Sequence, residues 1–314
     1  MKYVVPDPKA GGIALSNRAA RSGSTVHGWP AITAGSIVTA AGAGLAALML
    51  GLVAPGRVRV NGGMPPWIIA LGGGLFAIAG LWTVVHGVLG LRRTARADAM
   101  RAAHPAEPWH WDHPWDERVA RDDTSDRARH FAVVGLFVLV FLTPFHWLGI
   151  YGPRGAAVFG LFALLFDAIG IGLLVASAYF VIRRMKYGAG VARLASFPFR
   201  RGSQLELTVE APRALPQHAL PAATLRCVQE RYVTTGTGED RSTTVQCFEI
   251  YRDTAPVELT SLEGGRRGLR VRFDLPRDVP TTDLASRPCR YWEVDVDAAT
   301  DGVDYGARFL VPVY

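Results

Sequence analysis

One carboxylate stands inside an otherwise apolar run. Asp167 lies within residues 155–182, which are free of other acids and of Lys and Arg. At 1.5 Å per helical residue it would sit about 18 Å from one end of a spanning helix. A carboxylate held in a bilayer is by default a proton relay or an ion ligand. The plainer alternative is a protonated Asp bonded to a neighbouring helix, through Thr143 or Ser177. Gly160, Ala163 and Gly170 share its helical face, so the side chain is expected to point into a bundle.

A second concentration of chemistry is the segment 104–117, HPAEPWHWDHPWDE. His104, His110 and His113 with Glu107, Asp112 and Asp116 are metal-ligand types. Pro105, Pro108 and Pro114 interrupt the helical spacing that would preorganise them, and no second cluster completes a site. No metal and no cofactor are therefore expected. Trp109, Trp111 and Trp115 are expected to be interfacial or partner-binding, their rings buried at the headgroup level or against a soluble domain, with the headgroup layer preferred. His86, His130 and His146 lie in or beside apolar runs and receive no chemistry. HExxH, GxSxG and a Walker loop are absent from the sequence, so the chain is expected not to be an enzyme.

These residues must be held by something, and the composition says what. Of 314 residues, 49% are hydrophobic and only 19% charged, with a mean hydropathy of +0.17. That balance excludes a disordered chain and strains an ordinary soluble one. Four apolar segments reach the roughly 20 residues that a bilayer demands: 31–53, 67–91, 131–150 and 155–182. The net charge of +7 lies wholly in residues 1–186, with 18 Lys and Arg against 10 Asp and Glu; residues 187–314 hold 16 against 17. The basic excess flanks apolar runs rather than forming an aromatic-laced stripe, which argues against nucleic acid and for membrane lipids. Alternate loops carry 16 and 3 basic residues, so both termini are expected in the cytoplasm of a bacterial inner-membrane protein. Gly35, Thr39, Ala43, Ala47 and Gly51 recur every four residues, a small-residue ridge suited to packing within the bundle or to a homo-oligomer. Pro144 should kink the third span near Thr143.

Beyond Lys186 the pattern becomes short alternating runs. Leu205, Leu207 and Val209 alternate, as do Leu269, Val271, Phe273 and Leu275, then Trp292, Val294 and Val296, and finally Phe309, Val311 and Val313. Residues 225–233 and 243–251 flank a polar turn and read as a hairpin. About seven strands predict an antiparallel sandwich. Cys227 and Cys247 fall on neighbouring strands as free thiols; Asp295 and Asp297 read as solvent-facing. Arg266, Arg267, Arg270 and Arg272 form a basic cluster that reads as a solvated face.

The closing pattern, Phe273-Asp274-Leu275-Pro276, Pro280, Tyr291-Trp292-Glu293-Val294, Asp304-Tyr305 and Phe309-Leu310-Val311-Pro312-Val313, resembles the last strands of arrestin-like β-sandwiches. With Pro108-Trp109, Trp115, Lys186-Tyr187-Gly188 and Pro198, the chain is similar to an uncharacterised family of bacterial four-span membrane proteins ending in such a domain. The resemblance implies no catalytic residue and no cofactor; arrestin-like domains bind other proteins, often by strand addition. The expected architecture is multi-domain: an all-α four-helix transmembrane bundle followed by an all-β sandwich. Its parts are a tail (1–30), hairpin 1 (31–91), a cytoplasmic Trp-rich loop (92–129), hairpin 2 (130–186) and a sandwich (187–314). The expected function is scaffolding or protein interaction with an unknown protein partner; the alternative is a small transporter or proton-linked channel component using Asp167.

Overall fold

The computed structural model describes residues 3–4, 12–16, 18, 20–22, 27–52, 65–152, 156–212, 214–216, 219–262 and 266–314. Lys2, Lys9, Arg57, Arg59 and Arg154, which enter the charge-bias expectation, lie outside them. The chain forms two compact units. One comprises Val26–Arg93 and Arg127–Tyr179; the other comprises Met1–Thr25, Thr94–Asp126 and Phe180–Tyr314.

The helical unit is built from α1 (Trp29–Met49), the first part of α2 (Pro66–Ala103), α3 (Thr124–Phe141), α4 (Thr143–Tyr151) and most of α5 (Ala157–Tyr187). With α3 and α4 taken together, four helices among the described residues are long and apolar enough to cross a membrane. The break falls at Leu142, where Pro144 cannot donate to the turn before it. Nothing halts α2 at Leu91: Ala95, Ala97, Ala99, Met100, Ala102 and Ala103 are strong helix formers, and Pro105 ends the run.

Glycines bring the helices of each hairpin together. Gly28, Gly35 and Gly42 recur every seven residues at the start of α1 and along it, and Gly73, Gly80 and Gly87 do so on α2. A Cβ on Gly80 would lie 2.5 Å from Thr39 N and 2.7 Å from Gly35 O; one on Gly42 would lie 2.5 Å from Gly73 O. The four-residue ridge expected from the sequence is therefore displaced: the contact face steps through Gly35, Thr39, Gly42 and Ala46, and Ala43 is exposed. Steps of four overshoot the 3.6-residue turn and drift off the face, whereas alternating fours and threes hold to it. The second hairpin repeats the device. Ser177 Oγ donates to Ala128 O at 2.8 Å, a Cβ on Gly135 would lie 2.9 Å from Gly170 O, and one on Gly149 would lie 2.5 Å from Gly160 Cα. Large side chains point outward instead; Leu161 and Leu165 are 70% and 64% exposed.

The other unit is a two-sheet antiparallel sandwich. The first sheet runs β1-β7-β6-β10-β11 with β2 also on β7, and the second runs β3-β4-β5-β9-β8. The strands are β1 (Tyr3–Val4), β2 (Ile13–Ala14), β3 (Val119–Arg121), β4 (Val191–Leu194), β5 (Gln204–Glu210), β6 (Ala222–Thr235), β7 (Ser242–Pro256), β8 (Glu258–Ser261), β9 (Arg267–Asp274), β10 (Arg290–Ala298) and β11 (Tyr305–Val311). Leu205, Leu207, Leu269 and Val271 of one sheet meet Leu225, Tyr251, Trp292 and Phe309 of the other in one dry core.

The sandwich does not start at residue 187. β1 and β2 come from the amino-terminal tail, and β3 comes from the Trp-rich loop. Residues 187–314 therefore lack three of the strands, because β4 and β7 would otherwise be open edges. Cys227 and Cys247 are free and buried, but they do not face each other: Cys227 pairs with Tyr251 in register and Cys247 with Glu230. They lie in separate apolar clusters, Cys227 in the main core and Cys247 beside Cys289 and Tyr291.

Candidate functional site

In the helical unit, Asp167 Oδ2 lies 2.9 Å from His146 Nε2. His146 sits on α4, one turn past the break that Pro144 imposes, and the close Gly149–Gly160 crossing brings α4 against α5. The expected face holds: Ala163 is fully buried and Gly170 packs on Leu139. The partner differs from the one anticipated. Ser177 is engaged with Ala128, and the group facing Asp167 is an imidazole rather than the Thr143 hydroxyl. Thr143 opens α4 two residues before Phe145. At 2.9 Å the imidazole nitrogen and the carboxylate oxygen are within hydrogen-bond reach.

In the sandwich, the outer face of the first sheet is covered rather than wet. Arg18 Nε lies 2.9 Å from Glu293 Oε1, and its other nitrogen reaches Asp295. Arg226 pairs with Glu249 at 2.7 Å and also with Asp295. Arg308 Nε lies 2.9 Å from Asp295 Oδ1. Glu230 accepts the backbone N–H groups of Arg21 and Ser22. Three guanidinium groups thus meet three carboxylates on four strands and the tail. Burial opposes the charge on Asp295, but Arg308, Arg18 and Arg226 outweigh it and hold the carboxyl below its ordinary range. The solvent-facing assignment of Asp295 is corrected here. Alternation alone cannot tell an outer face in water from one roofed by a distant segment.

The Trp-rich segment lies within this same unit. Trp115 Nε1 donates to Tyr314 OH at 3.1 Å, and the Trp109 ring stands 5.9 Å from the Tyr314 ring. Arg101 covers Trp111 at 4.2 Å. Tyr314 OH in turn donates to Asp112 Oδ2 at 2.7 Å, and Ala285 N–H donates to Asp112 Oδ1 at 2.6 Å. Burial raises the Asp112 pKa despite those two donors. Trp109 and Trp115 thus contact Tyr314 at the end of the sandwich, and Trp111 contacts Arg101 of α2. Next to them, His104, Glu107 and His110 gather their ligand-type atoms within 4.8 Å of one another.

One sheet edge carries an apolar side chain in solvent. Among the described residues, β8 ends the second sheet. Leu259 pairs in register with the core residue Leu269 yet is 61% exposed. Leu262 N–H donates to Arg266 O, and Ala211 N–H, just past β5, donates to Arg267 O. In an antiparallel ladder the pairs alternate, so the main-chain groups of Leu259 and Ser261 point away from β9, toward the open side. The nearby basic cluster is matched by acids: Arg266 lies 3.1 Å from Glu210, and Arg270 and Arg272 lie 3.4 and 2.9 Å from Glu206.

The class defined by these observations is a helical unit with membrane-length apolar helices joined to an antiparallel β-sandwich. No protein-family model matches the chain, and no curated protein matches it. Among solved structures, the chain is similar to Spo0M, a sporulation control protein from Bacillus subtilis, at 17% identity. That alignment covers 40% of this chain and 48% of the other, about half its length, with a TM-score of 0.22, too low to carry an argument.

Proposed function

We propose that this chain is a non-enzymatic, multi-pass protein of the bacterial inner membrane whose arrestin-like sandwich, on the cytoplasmic side, takes up a protein partner along β8. The observation that carries the reading is that edge: outward main-chain groups at Leu259 and Ser261 beside an exposed leucine on the core side of the sheet. Natural sheets usually blunt such an edge with charge, proline or a covering segment, and an added strand would satisfy both features at once. The test is photo-crosslinking in native membranes from a reactive residue at position 259, with one at exposed Ser242 as the comparison. An adduct specific to position 259 that Ser261→Pro abolishes supports strand addition, because proline removes an outward N–H and leaves the bonds to β9. Equal adducts at both positions, or insensitivity to Ser261→Pro, contradict it.

The His146–Asp167 pair favours a second reading, a proton-linked transport step in the helical unit. Asp167→Asn separates the two. A transporter loses proton-coupled flux in reconstituted vesicles, whereas an interaction module keeps its crosslinks at position 259.

A further inference from the structure

We propose that His104, Glu107 and His110 bind one divalent transition-metal ion of the zinc class, with two imidazoles and one carboxylate as ligands and a fourth position left for water or an exchangeable group. The spacing is three residues, twice. Glu107 N–H donates to His104 O at 3.2 Å, His110 N–H to Glu107 O at 3.1 Å and Trp111 N–H to Pro108 O at 3.1 Å. Pro108–His110 is a 3₁₀ helix. Glu107 caps that helix, and the bonds Glu107 N–H to His104 O and His110 N–H to Glu107 O close two successive turns that bring the three ligand-type atoms within 4.8 Å of one another. The prolines that break the α-helical spacing are what create this arrangement: Pro105 ends α2, and Pro108 occupies the first turn of the 3₁₀ helix, where a missing N–H costs nothing.

The distances fit a site that closes on its ion. His110 Nε2 lies 3.0 Å and His104 Nδ1 lies 3.7 Å from Glu107 Oε2, and the imidazole centroids are 4.8 Å apart. Tetrahedral ligands at about 2.0–2.1 Å from zinc stand roughly 3.3 Å from one another, so the side chains need shift by about an ångström or less. All three are between a third and a half exposed, which leaves entry open and the fourth position accessible. Asp112 is not available to the ion, being held by Tyr314 and Ala285. Loading would clasp the end of α2 to the turn that leads into the Trp109–Trp115 segment.

The experiment uses the full chain, purified in detergent without a polyhistidine tag. Zinc is titrated by calorimetry and cobalt by visible absorption, with indole fluorescence followed during nickel addition. The expected result is one equivalent bound, a tetrahedral-type cobalt spectrum and quenching from the neighbouring Trp109. Affinity should fall at least tenfold in each of His104→Gln, Glu107→Gln and His110→Gln and should be retained in His113→Gln. These side chains lie at the surface, so folding should survive, with far-ultraviolet circular dichroism as the check. Absence of saturable zinc binding below millimolar concentration overturns the proposal, as does binding that survives the triple substitution.

Discussion

Replacing Gly80 by alanine should drive the first hairpin apart, whereas the same change at Gly74, six residues away on the same helix, should not. The added Cβ at Gly80 would fall 2.5 Å from Thr39 N and Oγ1 and 2.7 Å from Gly35 O, whereas at Gly74 nothing lies within 4 Å. Relieving contacts of 2.5 Å to the usual 3.5 Å or so requires about 1 Å of separation between the helices. A gap of that size forfeits a quarter to a half of each dispersion contact along the seam, and overpacking of this kind costs about 1–3 kcal/mol. Alanine in place of a helical glycine returns about 0.5–1 kcal/mol, so Gly74→Ala should be neutral to stabilising and Gly80→Ala should be a net loss of ~1–2 kcal/mol. Reversible unfolding in mixed micelles, followed by far-ultraviolet circular dichroism, measures both. Equal effects at the two positions would refute the seven-residue glycine seam.

Arg18→Met should cost the sandwich about 3–5 kcal/mol, because Glu293 and Asp295 would remain buried with one guanidinium fewer; urea unfolding of the full chain reads this, and a loss under 1 kcal/mol contradicts the roofed face. Asp295 has a lowered pKa, so its contribution is fully present above the ordinary carboxylate value and is lost as pH falls through the folded value. Acid unfolding of the sandwich should therefore set in below about pH 4, and Asp295→Asn should flatten that limb. Burial pushes the Cys247 and Cys289 thiols up to about 11 and about 12, so at pH 8 a maleimide should label no cysteine in the native chain and three after denaturation.

The helices and most strands of the sandwich were legible because each rests on local periodicity. Uninterrupted apolar runs set α1, α2 and α5, Pro144 set the break before α4, and alternation set β5, β9, β10 and β11. What escaped depends on partners far along the chain. β1 and β2 are two residues each and gain their meaning only from β7, some 240 residues later. Arg18 is an ordinary tail residue until Glu293 and Asp295 are beside it, so the strand pattern around Asp295 looked wet. His146 carried no signal of its own, and its pairing with Asp167 required knowing how α4 crosses α5. At His104, Glu107 and His110 the prolines break the α-helical spacing that makes ligand sets legible in a sequence, while two successive turns bring the same three side chains together.

The placement of the whole assembly is tested most directly by cysteine accessibility in cells. Asn61→Cys, between the first two apolar segments, and exposed Ser242→Cys, at the start of β7, are probed with a membrane-impermeant maleimide, the native thiols being buried. The account predicts labelling at position 61 in intact cells and at position 242 only once the inner membrane is opened. Labelling of position 242 in intact cells would contradict it.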